Sequence, residues 1–138
     1  MFYNAKIHWM EPKEGTDQMQ RVTKQFLVYA LSVTECEMRI VEWFPDNYQD
    51  AVVEEVKQTK ILNLHTDISA STHWLVKMID DNMDRAKPEF IVMNALNLEE
   101  VVKKMKLQYP IQDIEMIQKF KPVIDSDLVS EELPTKTI

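Results

Sequence analysis

Two stretches of alternating apolar character, Val22 to Ala30 and Glu89 to Ala95, read as strands and end in the same way. Each closes on Ala-Leu, at Ala30-Leu31 and Ala95-Leu96, and each is followed by a helix-capping residue with a Glu three positions later, Ser32 with Glu35 and Asn97 with Glu100. The period then changes from that of a strand to that of a helix. Val33, Cys36, Ile40 and Phe44 fall on one stripe, as do Leu98, Val101, Met105 and Tyr109, and Pro45 and Pro110 stop the two helices. Upstream, Phe2 to Met10 and Trp74 to Asp80 read as first strands, with Tyr3 opposite Trp74 and Lys6 opposite Lys77. Downstream, Val52 to Ile61 and Ile114 to Phe120 read as third strands, where Glu54 matches Glu115 and Val56 matches Ile117. The expected fold is α+β: tandem duplicated β-β-α-β units with about six mainly antiparallel strands and two helices packed on the sheet. The expected boundaries are a first unit at 1–64, a linker at 65–72, a second unit at 73–124 and a flexible acidic tail at 125–138.

In the strand ending at Ala30, Phe26, Val28 and Ala30 alternate with Leu27, Tyr29 and Leu31, so both faces of that strand are apolar. The helices cover one face. The other is expected to meet the second unit or a second copy of the chain, which makes a homodimer an expectation.

Composition narrows the function classes. With 45% hydrophobic residues over 138 positions the chain can build a core, and no apolar run approaches the roughly 20 residues that span a bilayer. The N-terminus lacks a basic segment followed by an apolar one, so neither secretion nor membrane insertion is expected. Cys36 is the single cysteine, so no internal disulfide can form, and the expected compartment is the cytoplasm. A net charge of -7 argues against a protein that holds duplex nucleic acid by neutralising phosphates. Gly15 is the only glycine, in the expected turn Glu14-Gly15-Thr16-Asp17, which excludes phosphate-cradling glycine loops and dinucleotide fingerprints.

The run from Val22 through Ala30-Leu31-Ser32-Val33-Thr34-Glu35-Cys36-Glu37-Met38-Arg39-Ile40 resembles the signature of a domain-of-unknown-function family of short proteins from gut anaerobic bacteria and their phages. That family opens each half with an aromatic-x-x-Lys strand, which here looks like Tyr3-Asn4-Ala5-Lys6 and Trp74-Leu75-Val76-Lys77. The chain departs from the family pattern at Cys36, where a small Ala is usual, and in its acidic tail. The resemblance implies a phage or bacterial setting and no catalytic residues.

No pair of His or Cys stands at zinc-ligand spacing around His8, His65, His73 and Cys36, so neither a metal nor another cofactor is expected. His65 and His73 are read as linker-surface residues. Cys36 lies on the apolar stripe of the first helix and is read as a buried small hydrophobe, and the paired acids Glu54-Glu55, Asp80-Asp81 and Glu99-Glu100 as solvated or capping charges. The remaining candidate set is aromatic and cationic: Tyr3, Lys6, His8 and Trp9 in one strand, Trp74 and Lys77 in its counterpart. Aromatics beside lysines can stack a base and pair its phosphate, whereas the competing reading makes Tyr3 and Trp74 core anchors and the lysines covers of the sheet edge. The expected function is that of a non-enzymatic accessory or regulatory protein acting on a protein partner. The alternative is a binder of a small anionic ligand, a nucleotide or cyclic oligonucleotide.

Overall fold

The computed structural model describes residues 1–44, 49–66, 71–80 and 87–130. The chain forms two compact units, the first made of residues 1–59 together with 122–138, the second of residues 60–121.

In unit 1, strands β1 (Phe2–Pro12) and β2 (Met19–Tyr29) form an antiparallel hairpin paired from Phe2 opposite Tyr29 to Pro12 opposite Met19. Gly15 sits in the connecting turn at φ 78, a left-handed conformation that a side chain resists. The helix α1 (Val33–Trp43) follows, and then β3 (Gln49–Gln58) pairs antiparallel with the other edge of β1, giving the order β2-β1-β3. Alternation decides the faces. Tyr3, Ala5, Ile7 and Trp9 of β1 join Phe26, Val28 and Ala30 on the side covered by Cys36 and Ile40 of α1. Aromatic edges fill this core, with Trp9 5.2 Å from Phe44 and Phe26 5.4 Å from Trp43 between ring centroids.

In unit 2, β4 (Ile61–His65), β5 (His73–Ile79), β6 (Glu89–Asn94) and β7 (Asp113–Lys119) form a sheet in the order β4-β6-β5-β7. All pairs are antiparallel except β4 with β6, which is parallel. The helix α2 (Leu98–Gln108) lies on one face, where Val101 and Met105 pack with Trp74, Val76, Met78, Ile91, Met93 and Ala95.

Both helix starts carry the expected cap. The Glu35 amide donates to Ser32 Oγ at 3.1 Å and the Glu100 amide to Asn97 Oδ1 at 2.9 Å. The acid that should close each capping box does something else: Glu35 accepts from the Leu31 amide at 3.4 Å, and Glu100 pairs with Lys104 at 3.1 Å. Replacing Ser32 or Asn97 by Ala should therefore cost about 0.5–2 kcal/mol in urea denaturation, with similar losses at the two sites.

The described residues hold seven strands in two sheets and three helices, against an expectation of about six strands and two helices. The additional strand is β4 (Ile61–His65), which crosses the expected boundary between a first unit ending at 64 and a linker starting at 65. Its five residues acquire order by pairing with β6, and a short polar-flanked run gives little local signal of such pairing. The additional helix, α3 (Ser126–Val129), lies where a mobile tail is expected: Asp125 accepts from the Asp127 amide at 2.9 Å, and Leu128, 1% exposed, completes the unit 1 core. Residues 131–138 of that tail, Pro45, and residues 67–70 of the linker lie outside the described residues. The stripes are shorter than expected, since Val33 and Leu98 are exposed. On the second face of β2, Leu27 is fully buried and Tyr29 is half-buried with its ring 5.2 Å from Phe2, whereas Leu31 is 68% exposed.

Candidate functional site

The sheets divide the aromatic and cationic set. Tyr3, Trp9 and Trp74 are buried on the helix-covered faces, and the Trp74 indole donates to Ala95 O at 3.0 Å. Lys6, His8 and Lys77 occupy alternate positions of the same strands, so they project from the opposite faces. No base could stack on Tyr3 or Trp74 and reach Lys6 or Lys77 across the same sheet. The aromatic members are core anchors, the competing reading of the sequence.

The polar members converge on acids from the neighbouring strand. Glu54 lies 2.6 Å from His8 Nδ1, 2.6 Å from Arg21 Nη2 and 3.6 Å from Lys6 Nζ, while Arg21 also approaches His8 Nδ1 at 2.9 Å. In unit 2, Lys77 pairs with Glu115 at 3.3 Å. Hydrogen bonds from His8 and then Arg21, with the charge of Lys6 beside them, hold the Glu54 carboxyl below its ordinary range. A carboxylate so held is a poor general acid and a good cross-strand clamp. Because its folded value is depressed, its contribution to stability is present above the ordinary carboxylate range and is lost as pH falls through the lowered value. Carboxyl carbon shifts should show Glu54 titrating below the exposed glutamates, and His8→Leu should move its midpoint upward. An unmoved midpoint would contradict the clamp.

A second arrangement was not legible in the sequence. Leu64, His65 and Thr66 at the end of β4, Met93 and Asn94 at the end of β6, and Lys104 and Gln108 of α2 line a cleft of about 320 Å3. It opens at the carboxyl ends of the parallel pair β4 and β6, a place where α/β sheets commonly bind ligands. On its rim His65 Nε2 lies 2.5 Å from the Tyr109 hydroxyl. Burial lowers the His65 value and, with Glu89 adding, raises that of Tyr109, so each group is biased toward its neutral form. Lys104 Nζ donates to Asn94 O at 2.8 Å and pairs with Glu100, which brings one cation to the cleft wall.

Unit 1 uses the matching helix position differently. The alignment that sets Ser32 beside Asn97 sets Arg39 beside Lys104 and Tyr29 beside Asn94. Arg39 Nη1 donates to Tyr29 O, as Lys104 does to Asn94 O, each across ten positions of sequence. Arg39 then reaches further, from Nη1 to Ser130 O at 2.9 Å and from Nη2 to Asp127 O at 2.8 Å, so it fastens α3 over the core. A basic residue on the inner side of each amphipathic helix, at Arg39 and Lys104, was the available signal for this arrangement; read as part of a solvated face, it passes unnoticed.

Among the described residues neither arrangement holds an exposed nucleophilic thiol. Cys36 is fully buried, and burial first, with Glu37 adding, pushes its thiol up to about 11. A thiol reagent should leave native Cys36 unmodified on the timescale that labels it fully in denaturant, and rapid native labelling would contradict this burial. Among the described residues no three His, Cys, Asp or Glu side chains cluster as metal ligands. Among the same residues no helix is long and apolar enough to cross a membrane.

No curated protein and no solved structure matches the chain. A family model matches residues 1–121 of the 138, and the chain therefore belongs to the family described as Domain of unknown function (DUF4494).

Proposed function

We propose that the chain is a non-enzymatic accessory or regulatory protein that binds a protein partner through the cleft of unit 2. The observation that carries this reading is the convergence of His65, Thr66, Asn94, Lys104 and Gln108, with Leu64 and Met93, around one cleft. Polar groups converging from β4, β6 and α2 can orient a bound chain through hydrogen bonds. The two units derive from a tandem duplication of a β-β-α-β element; the paired caps, the Lys6–Glu54 and Lys77–Glu115 pairs, and the Arg39 and Lys104 contacts support this. The setting we propose is the cytoplasm of a gut anaerobic bacterium or of its phage-infected state, on the resemblance of the Val22 to Ile40 run and the single cysteine.

Affinity capture from a lysate of the source organism tests the reading with two surface variants. Gln108→Trp fills the cleft mouth and Lys24→Trp alters an exposed site on unit 1. A partner kept by the parent chain and by Lys24→Trp but lost from Gln108→Trp is the expected result. A partner held equally by both variants overturns it.

A cleft of about 320 Å3 is also within the lower range for a small molecule, so sequestration of a small anionic ligand by Lys104 is the second reading. Thermal-shift screening against nucleotides and cyclic oligonucleotides separates the two, since ligand at one hundred times its dissociation constant adds roughly 2.7 kcal/mol.

A further inference from the structure

The two outer strands of the unit 1 sheet differ in what they leave open. The edge of β2 is taken by Val123, which pairs parallel with Phe26, with Leu27 N donating to Val123 O at 3.0 Å and Val123 N to Gln25 O at 2.7 Å. β3 pairs with β1, and among the described residues no strand pairs with its other edge. Thr59 N donates to Phe2 O at 2.9 Å, which fixes the alternation along β3: the backbone groups of Lys57 and Thr59 face β1, and the N–H and C=O of Val56 and Gln58 face the open edge. On either side of Val56 stand Glu55 and Lys57, 46% and 73% exposed, with Oε1 and Nζ 2.9 Å apart, while Val56 itself packs against the unit 1 core. Unit 2 builds the same edge without that pair. The register that sets Glu55 opposite Lys6 and Lys57 opposite Asn4 sets Met116 opposite Lys77 and Gln118 opposite Leu75.

We propose that this edge joins a second copy of the chain, with β3 antiparallel to the β3 of that copy about a two-fold axis at Val56. Charge selects the register. Outward-facing residues pair with outward-facing ones, so the two-fold registers open to this stretch set Val56 opposite itself, Val56 opposite Gln58, or Gln58 opposite itself. The second opposes Lys57 to Lys57, and the third gives neither charge an opposite partner. The first sets each Glu55 opposite a Lys57 at a position without backbone hydrogen bonds, where Cα atoms approach to about 4.5 Å and side chains meet most closely. Four charges then alternate in sign on one face, and the two copies of Val56 meet on the core face. The joined sheet runs β2-β1-β3-β3-β1-β2. The cleft of unit 2 takes no part in it, so this inference stands apart from the function proposed there.

Sedimentation equilibrium of the full chain tests the proposal. The parent is expected to dimerise, with a dissociation constant that rises with salt. Glu55→Lys and Lys57→Glu each set like charges against one another at two symmetric positions, and each should raise the dissociation constant roughly tenfold or more. The charge-swapped double variant E55K/K57E restores opposite pairing and should return the constant to the range of the parent. Both positions are exposed, so the far-ultraviolet circular dichroism of all three variants should match that of the parent. A parent that stays monomeric at millimolar concentration overturns the proposal. So does a dimer that Glu55→Lys and Lys57→Glu leave intact, which would use another surface, or one that the double variant fails to restore.

Discussion

Leu128→Asp should destabilise unit 1 by several kcal/mol, although sequence alone places the residue in a mobile acidic tail. Leu128 is 1% exposed in a core with Tyr3, Ile7, Phe26 and Ile40, and a carboxylate there would be desolvated among apolar side chains. A change on a solvated tail would stay within about 0.5 kcal/mol, so the two descriptions differ by an amount that equilibrium unfolding resolves easily. The truncating substitution Leu128→Ala gives the milder form of the same result, a loss of about 2–5 kcal/mol from the cavity it leaves. Wild-type stability in Leu128→Asp would remove α3 from the core.

The second large effect is expected at Arg39. Its side chain is buried and donates to Tyr29 O, Asp127 O and Ser130 O, three carbonyls from two separate stretches of chain. Arg39→Met keeps much of the packing volume and removes all the donors, leaving those acceptors without this partner. The cost should be about 3–5 kcal/mol, in the range found when one side of a buried charged contact is deleted. Hydrogen exchange gives a sharper reading than stability alone, since Leu128 and Val129 amides both donate to Asp125 O and should lose protection before the β1–β2 hairpin does. Arg39→Lys should recover only part of the loss, because one ammonium cannot span the three carbonyls as a planar fork does. Uniform loss of protection throughout unit 1 would contradict a fastening role.

The strands and helices that depend on local periodicity were legible in the sequence. The hairpins, α1 and α2 follow from alternation, a cap residue and an apolar stripe, and the cap contacts at Ser32 and Asn97 fall where those residues require. β4 and α3 were not legible, because each is stabilised by partners far along the chain: β4 by β6, and α3 by Arg39 and the core. Five and four residues are too few to carry a periodic signal of their own.

The candidate ligand residues illustrate a different gap. Tyr3 and Lys6, like Trp74 and Lys77, are three positions apart, and in a strand an odd separation sends two side chains to opposite faces. Once the two segments are read as strands, that alternation by itself parts the aromatics from the lysines. The cleft differs, since His65, Asn94 and Lys104 come from three elements and only the parallel pairing of β4 with β6 brings them together. Their individual residue types carried no shared pattern.

Photo-crosslinking from the cleft mouth tests the central claim, that unit 2 recognises a partner there, most directly. A benzophenone amino acid placed at exposed Gln108 should form a covalent adduct with one protein, and digestion should map the attachment to one segment of that protein. The same group at exposed Lys24 should give no such adduct. Capture of the partner without crosslinking at Gln108, or equal crosslinking from both positions, would contradict the account.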